Sequence, residues 1–177
     1  MINLANRIIE EGLENQTHQK TRTTIRAIIY KHKKLFMVYS KAFADYTFPG
    51  GGLKRSESHL DGLKRELKEE LGANQVFNEK PLGYMEELRY GLSSQETVYL
   101  QTSYYYFVEV DDLGEQSLME REASHGVEPV WISIDEAIHT NRLAMQTNHH
   151  HKGMKTVLPR EIEVLKVLKK LEDEGKL

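Results

Sequence analysis

The sequence predicts a mixed α/β domain, and two observations carry that prediction. β-Branched and aromatic runs at residues 21–30 (TRTTIRAIIY), 35–40 (LFMVYS), 82–90, 97–110 and 129–134 (PVWISI) have the composition of strands. Between them leucines recur at helical spacing: Leu60, Leu63, Leu67 and Leu71 lie 3, 4 and 4 residues apart and form one apolar stripe. Strands interleaved with amphipathic helices pack as layers around a shared core. At 177 residues the chain can build one such core, so residues 1–177 read as a single domain.

Composition narrows the function. Apolar residues make up 39% and charged residues 29%, the balance of an ordered soluble protein. A net charge of −3 gives no general attraction to nucleic acid or anionic membranes. Without cysteine, disulfides, thiolate zinc sites and cysteine nucleophiles are excluded. No apolar run approaches the roughly 18 residues of a membrane span, and no charged-then-apolar leader opens the chain. A cytoplasmic location is the expectation.

In order along the chain, Leu4, Ile8, Ile9 and Leu13 predict an amphipathic N-terminal helix over residues 3–13, followed by a polar linker at 14–20. The strands at 21–30 and 35–40 flank a basic turn, KHKK, and predict a hairpin. Four basic residues in so tight a turn read as a solvated bend rather than a nucleic-acid patch. After a loop come Phe48, Pro49 and the glycines Gly50, Gly51 and Gly52, which let backbone approach a ligand closely. Ser58 and Asp61 form a capping-box-like start for the leucine-striped helix, and Gly72 is placed to stop it.

Two further strands flank a loop at 91–96. A long acidic loop at 111–127 carries Glu115, Glu120 and Glu122, and long loops in compact domains tend to be functional. Ser133 and Glu136 signal a helix through about residue 142, and residues 143–158 read as irregular. Pro159 suits a first helical position, and Ile162, Leu165, Leu168 and Leu171 predict a C-terminal helix over 160–172. There is no internal repeat.

The leucine-striped helix has an acidic face. Glu66 shares it with Glu69 and Glu70, and each like-charged neighbour costs about 0.2–0.5 kcal/mol in an exposed helix. Arg65 offsets part of this through Glu69. A hard divalent cation offsets more, because magnesium takes carboxylate oxygens together with substrate phosphates. Taken alone, such a face is more often solvated surface.

The wider spacing changes that balance. Residues 51–73, GGLKRSESHLDGLKRELKEELGA, resemble the signature of the Nudix hydrolase family. That signature runs from a glycine to a glutamate, then to Arg-Glu-aliphatic-x-Glu-Glu-x-Gly. Gly51, Glu57, Arg65, Glu66, Leu67, Glu69, Glu70 and Gly72 hold those places, and the one departure is Ala73 at the final aliphatic position. The resemblance implies a Nudix α/β/α sandwich with a mixed β-sheet, and hydrolysis of a nucleoside diphosphate linked to another moiety. It implies Mg²⁺ or Mn²⁺ held by Glu66, Glu69 and Glu70 with a backbone carbonyl of Gly50 or Gly51. Glu57 would bind metal or pair with Arg65 to orient the helix. A further acid outside the box usually serves as general base: Glu122 is the first choice and Glu120 the second. Glu115 and Glu128 stay in the set, with His125 as a proton relay.

Substrate choice lies outside the box. ADP-ribose hydrolases of this family tend to carry a downstream proline where this chain has Glu87-Leu88-Arg89, which disfavours ADP-ribose. Dinucleoside polyphosphate hydrolases tend to carry a tyrosine in that window, and Tyr90 falls there. Arg26, on the first strand, is a second candidate for substrate contact, and the tyrosines at 104–106 are candidates for base stacking. His149, His150 and His151 read as a polar loop, since magnesium does not seek imidazole. The expected activity is a metal-dependent pyrophosphohydrolase acting on (d)NTPs or dinucleoside polyphosphates. The alternatives are an RNA 5′-triphosphate pyrophosphohydrolase and a non-catalytic nucleotide-sensing regulator. Regulators usually lose box residues and gain a DNA-binding module, and here the box is intact and the tail holds one clear helix. The expected partner is a nucleotide substrate, with no membrane, and a homodimer is one option left open.

Overall fold

Alternation along the central strands divides the interior into two cores, one under each layer of helices. The structure, a computed structural model, describes residues 1–91, 96–118, 120–147 and 155–177, with the side chains of Asp112, Arg121 and Glu122 outside that set. The elements run β1 (Ile2–Asn3), β2 (Ile8–Ile9), β3 (Lys20–Ile28), β4 (Tyr30–Lys31), β5 (Lys34–Ser40), β6 (Asp45–Thr47), α1 (His59–Leu71), β7 (Ala73–Tyr90), β8 (Val98–Leu113), α2 (Glu120–Ser124), β9 (Val127–Ile132), α3 (Ile134–Thr147) and α4 (Val157–Asp173). One sheet is mixed, in the order β1-β7-β8-β3: β7 and β8 are antiparallel, while β3 joins β8 and both β1 and β2 join β7 in parallel. The other is antiparallel, with β5 between β9 and the pair β4 and β6.

Ile25, Ala27 and Ile29 pack with Phe36 and Val38 beneath Leu63, Leu67 and Leu71 of α1. The alternate residues Ile28, Leu35 and Met37 pack with Phe48, Met85 and Tyr105 against α3 and α4. Each fully buried side chain of this size contributes about 1.5–3 kcal/mol. Helices on opposite faces of the sheets give the α/β sandwich expected from the sequence. Among the described residues, no helix is long and apolar enough to cross a membrane.

Several local expectations are corrected. Residues 3–13 form no helix: β1 and β2 lie along the outer edge of β7, where Leu4 N donates to Tyr84 O at 3.0 Å and Glu10 N to Leu88 O at 2.9 Å. An open sheet edge offers hydrogen bonds that a short helix of marginal stability does not match. Leu4 and Ile8 still reach the α4-side core, and Leu13 is buried beside Leu88 and Val98. The hairpin is also smaller than expected. Of the expected first strand only β4 pairs with β5, around His32 and Lys33 at φ 51° and 60°, the paired positive values of a type I′ turn. The body of β3 is taken by β8 instead.

β7 begins at Ala73, so residues 73–81 are strand despite their polarity, and the acidic loop shrinks because β8 continues to Leu113 and α2 follows. Finally, α3 runs on to Thr147, and α4 starts at Val157 with Pro159 as its third residue. The first turn has no intrahelical acceptor for its N–H groups, so proline is tolerated there. Residues 149–151, the histidine run, lie outside the described residues.

Asp45 opens β6 as a buried carboxyl. Burial pushes its pKa up to about 7, nearby Glu161 adds to the rise, and its own backbone N–H opposes it. An acid raised on folding holds a proton that the unfolded chain releases. Its contribution is therefore fully present below about pH 4 and is lost as pH climbs to about 7. Thermal melts should show Asp45→Asn raising the midpoint by several degrees at pH 8 and leaving it nearly unchanged at pH 4. An equal shift at both values would contradict the buried, proton-holding carboxyl.

Candidate active site

Helix α1 is fixed at both ends by its own sequence. Ser58 Oγ accepts from Asp61 N at 3.1 Å and donates to Asp61 Oδ2 at 2.6 Å, while Gly72, at φ 69°, caps the carbonyls of Leu67 and Lys68. The start of the acidic segment completes the C-terminal end: Gly114 N donates to Gly72 O at 2.7 Å, Ser117 N to Glu69 O at 2.9 Å, and Gln116 Nε2 to Glu70 O at 2.5 Å. With its axis and rotation set, α1 turns the leucines into the core and the glutamates toward the glycine turn.

That turn runs antiparallel to β3. Ala27 N donates to Pro49 O at 2.8 Å, Ile25 N to Gly51 O at 2.9 Å, and Leu53 N to Thr23 O at 3.1 Å. Gly50 has φ 130°, and a Cβ there would run into the Ile25 carbonyl oxygen, so only glycine fits. At Gly51 the obstacle is different: a Cβ would stand 2.5 Å from the carboxyl carbon of Glu66. Glu66, 7% exposed, thus lies directly over the turn, and one residue earlier Gly50 N donates to Glu70 Oε2 at 2.7 Å. Two carboxylates four residues apart on one helix face therefore clasp adjacent glycines.

Arg65 organises the other side. Its Nε and Nη2 grip the two oxygens of Glu57 at 2.8 and 2.9 Å, and Nη2 also donates to Gly52 O at 3.0 Å. Nη1 meets Glu66 Oε1 at 2.6 Å and Glu69 Oε2 at 3.6 Å. The guanidinium, helped by the Lys54 N–H, lowers the Glu57 pKa to about 2. The hydrogen bonds that Arg65 donates to Glu57 and Glu66 raise its pKa and outweigh burial, which opposes its ionisation. Among the described residues, no three acidic or histidine side chains close into a finished ion cage, because Arg65 bridges Glu66 and Glu69 while Glu70 turns to Gly50. The donors are nonetheless all carboxylate and carbonyl oxygens around a cradle that a single Cβ would fill. This set fits a hard divalent cation.

The other expected residues lie outside the box in sequence, and one of them touches its glycine turn. Arg26 Nη1 donates to Phe48 O at 3.0 Å and Gly50 O at 2.5 Å, so it braces the turn. Tyr90 packs with Leu13, Leu88 and Val98 at the far end of the sheet. The sites offered for the base fall in or near α2. Glu115 and Glu120 are exposed, Glu128 pairs with Lys41 at 2.8 Å, and His125 packs edge-on to Phe43. The side chain of Glu122 lies outside the described residues.

Sequence reasoning missed a buried polar group on the opposite face of the mixed sheet. Arg160 and Glu161 of α4 are fully buried, and Arg160 Nη1 donates to Glu87 Oε2 at 2.6 Å and to Ser103 Oγ at 3.3 Å. Gln101 Nε2 joins Glu87 Oε2 at 2.8 Å. Burial alone would raise the Glu87 pKa, but Arg160 wins and holds it below the usual carboxylate range. The available signal was position: Glu161 interrupts the apolar stripe, three residues after Leu158 and four before Leu165.

A model of the NUDIX domain matches residues 20–157, most of the chain. No curated protein sequence matches it. Among solved structures, a NUDIX hydrolase from Nitrosomonas europaea superposes with TM-score 0.51 at 24% identity, covering 78% of this chain and 94% of its own. The E. coli ORF135 protein gives TM-score 0.49 at 20% identity, covering 86% and 91%. The mMutator MutT protein from Bacillus halodurans gives 0.49 at 18%, covering 74% and 84%. At these identities the first supports the fold and nothing finer. The domain match spans the glycine turn and the whole acidic helix just described, and on that basis the chain belongs to the Nudix hydrolase family.

Proposed function

We propose that this chain is a Mg²⁺- or Mn²⁺-dependent pyrophosphohydrolase that cleaves a phosphoanhydride in a (d)NTP or a dinucleoside polyphosphate. The observation that carries the reading is the clasp of Gly50 and Gly51 by Glu70 and Glu66 on one helix face. Glu66, Glu69 and Glu70 would hold the ion, with the Gly50 or Gly51 carbonyl and Glu57 in support. Each of these carbonyls accepts one hydrogen bond, from Arg26 or from Ile25, and has a second lone pair to offer. When bound, the ion neutralises charge on the diphosphate and makes hydrolysis accessible near neutral pH.

The protein's part is orientation. Arg65 keeps Glu57 ionised and fixes Glu66, and the capped ends of α1 hold the three glutamates in register. Glu122 is retained as the proposed general base, with Glu120 behind it.

The deciding experiment ranks kcat/KM, with products identified, over (d)NTPs, 8-oxo-dGTP, diadenosine polyphosphates, ADP-ribose and triphosphorylated RNA. A (d)NTP or diadenosine polyphosphate should rank first and ADP-ribose low. Dominant turnover of ADP-ribose would refute the substrate assignment.

A further inference from the structure

We infer that Glu161, anchored by Arg160, is a positioning residue for the glycine turn that serves the proposed metal site. The inference rests on that site but assigns a role to a helix lying outside the box.

The backbone of Phe48-Pro49-Gly50 has only two N–H donors, because proline has none. Both go to glutamates on different helices: Phe48 N donates to Glu161 Oε2 of α4 at 2.8 Å, and Gly50 N to Glu70 Oε2 of α1 at 2.7 Å. The three carbonyls are taken by β3, Phe48 O and Gly50 O by the Arg26 side chain and Pro49 O by Ala27 N. The turn is therefore clamped between α1 and α4, with every backbone polar group satisfied.

Glu161 is itself held. Its Oε1 accepts from Arg160 Nε at 3.0 Å and from Arg160 Nη2, and Arg160 Nη1 reaches Glu87 on β7. One path of hydrogen bonds thus runs from the sheet interior through Glu87, Arg160, Glu161, Phe48, Arg26 and Gly50 to Glu70. Its ionic links among Glu87, Arg160 and Glu161 are fully buried. Stability does not as a rule depend on such links. Replacing a buried ion pair with well-packed neutral side chains is often harmless to stability, and a fully desolvated network has a large solvation penalty to offset. A network that ends on the turn backbone instead sets where Gly50 and Glu70 sit. Partners of this outer kind typically change metal affinity by about 10–100-fold when lost.

The test uses the full chain with Mn²⁺ alone as probe. Two variants are made: Glu161→Asp, which keeps the charge but shortens the reach to Phe48 N, and the triple Glu87→Gln/Arg160→Met/Glu161→Leu, which replaces the network with neutral side chains. Circular dichroism reports folding, and calorimetry reports Mn²⁺ affinity. Hydrogen exchange of the metal-free protein reports the Phe48 and Gly50 amides. Expected are native spectra, Mn²⁺ binding weakened by about 10–100-fold, and faster exchange at those two amides with Leu67 unchanged. If the triple does not fold, Glu161→Asp alone decides. Folded variants that bind Mn²⁺ normally and protect both amides would overturn the inference. Glu70→Gln, run alongside, separates the two levels. If it weakens Mn²⁺ binding and the Glu161 variants do not, the positioning role alone falls. If it leaves binding unchanged, the metal-site reading falls and takes the inference with it.

Discussion

Glu70→Gln is expected to abolish metal-dependent turnover, a loss on the order of 10³-fold or more, while the protein stays folded. Glutamine keeps an oxygen that can accept from Gly50 N, so the turn remains tied to α1. A charge-assisted bond becomes a neutral one, which costs about 1 kcal/mol, and relief of repulsion from Glu66 returns about 0.2–0.5 kcal/mol. The net effect on the melting midpoint is a few degrees at most. What disappears is one anionic oxygen from a hard donor set. The check is paired measurement of kcat and thermal midpoint in Mg²⁺; near-natural rates would remove Glu70 from the chemistry.

The adjacent glycines should separate function from folding. At Gly51 an added methyl group meets the flexible end of Glu66, so Gly51→Ala displaces that carboxylate without forcing backbone. Misplacing a reacting group by about 1 Å can cost about 10²-fold, and a loss of that size in kcat with a nearly unchanged midpoint is expected. At Gly50 the methyl group meets the rigid Ile25 carbonyl at a φ of 130°. Gly50→Ala is therefore expected to destabilise the protein by about 1–3 kcal/mol or more, as well as impairing turnover. Urea melts and rates measured on both variants make the comparison. A Gly51→Ala protein with full activity would show that Glu66 does not need its place over the turn.

The box helix was legible because its signals are local. Ser58, Asp61 and Gly72 mark its ends, the leucines mark its buried face, and the glutamate spacing marks its chemistry. Elements whose structure depends on distant partners were not legible. Residues 2–3 and 8–9 became short strands because β7 presents an open edge more than seventy residues away, a fact absent from their own pattern. The segment at 21–28 reads correctly as strand, but its partner is β8 rather than the neighbouring β5.

The buried polar network was hidden for a related reason. Arg160 and Glu87 are ordinary charged residues in sequence, and only the packing of α4 over the mixed sheet brings them within 2.6 Å. Arg26 was legible as a candidate contact to substrate, yet in the fold its guanidinium donates to Phe48 and Gly50 carbonyls. Such roles arise from tertiary satisfaction of buried groups, which a linear pattern records only as charge in an unexpected place.

The proposed activity is metal-dependent phosphoanhydride hydrolysis, carried by carboxylates that clasp the glycine turn. Its most direct test is product release from a dNTP and from diadenosine tetraphosphate, measured with Mg²⁺ and with excess chelator. Turnover of at least one of them is expected with Mg²⁺ and none with chelator. Equal release under both conditions would contradict it.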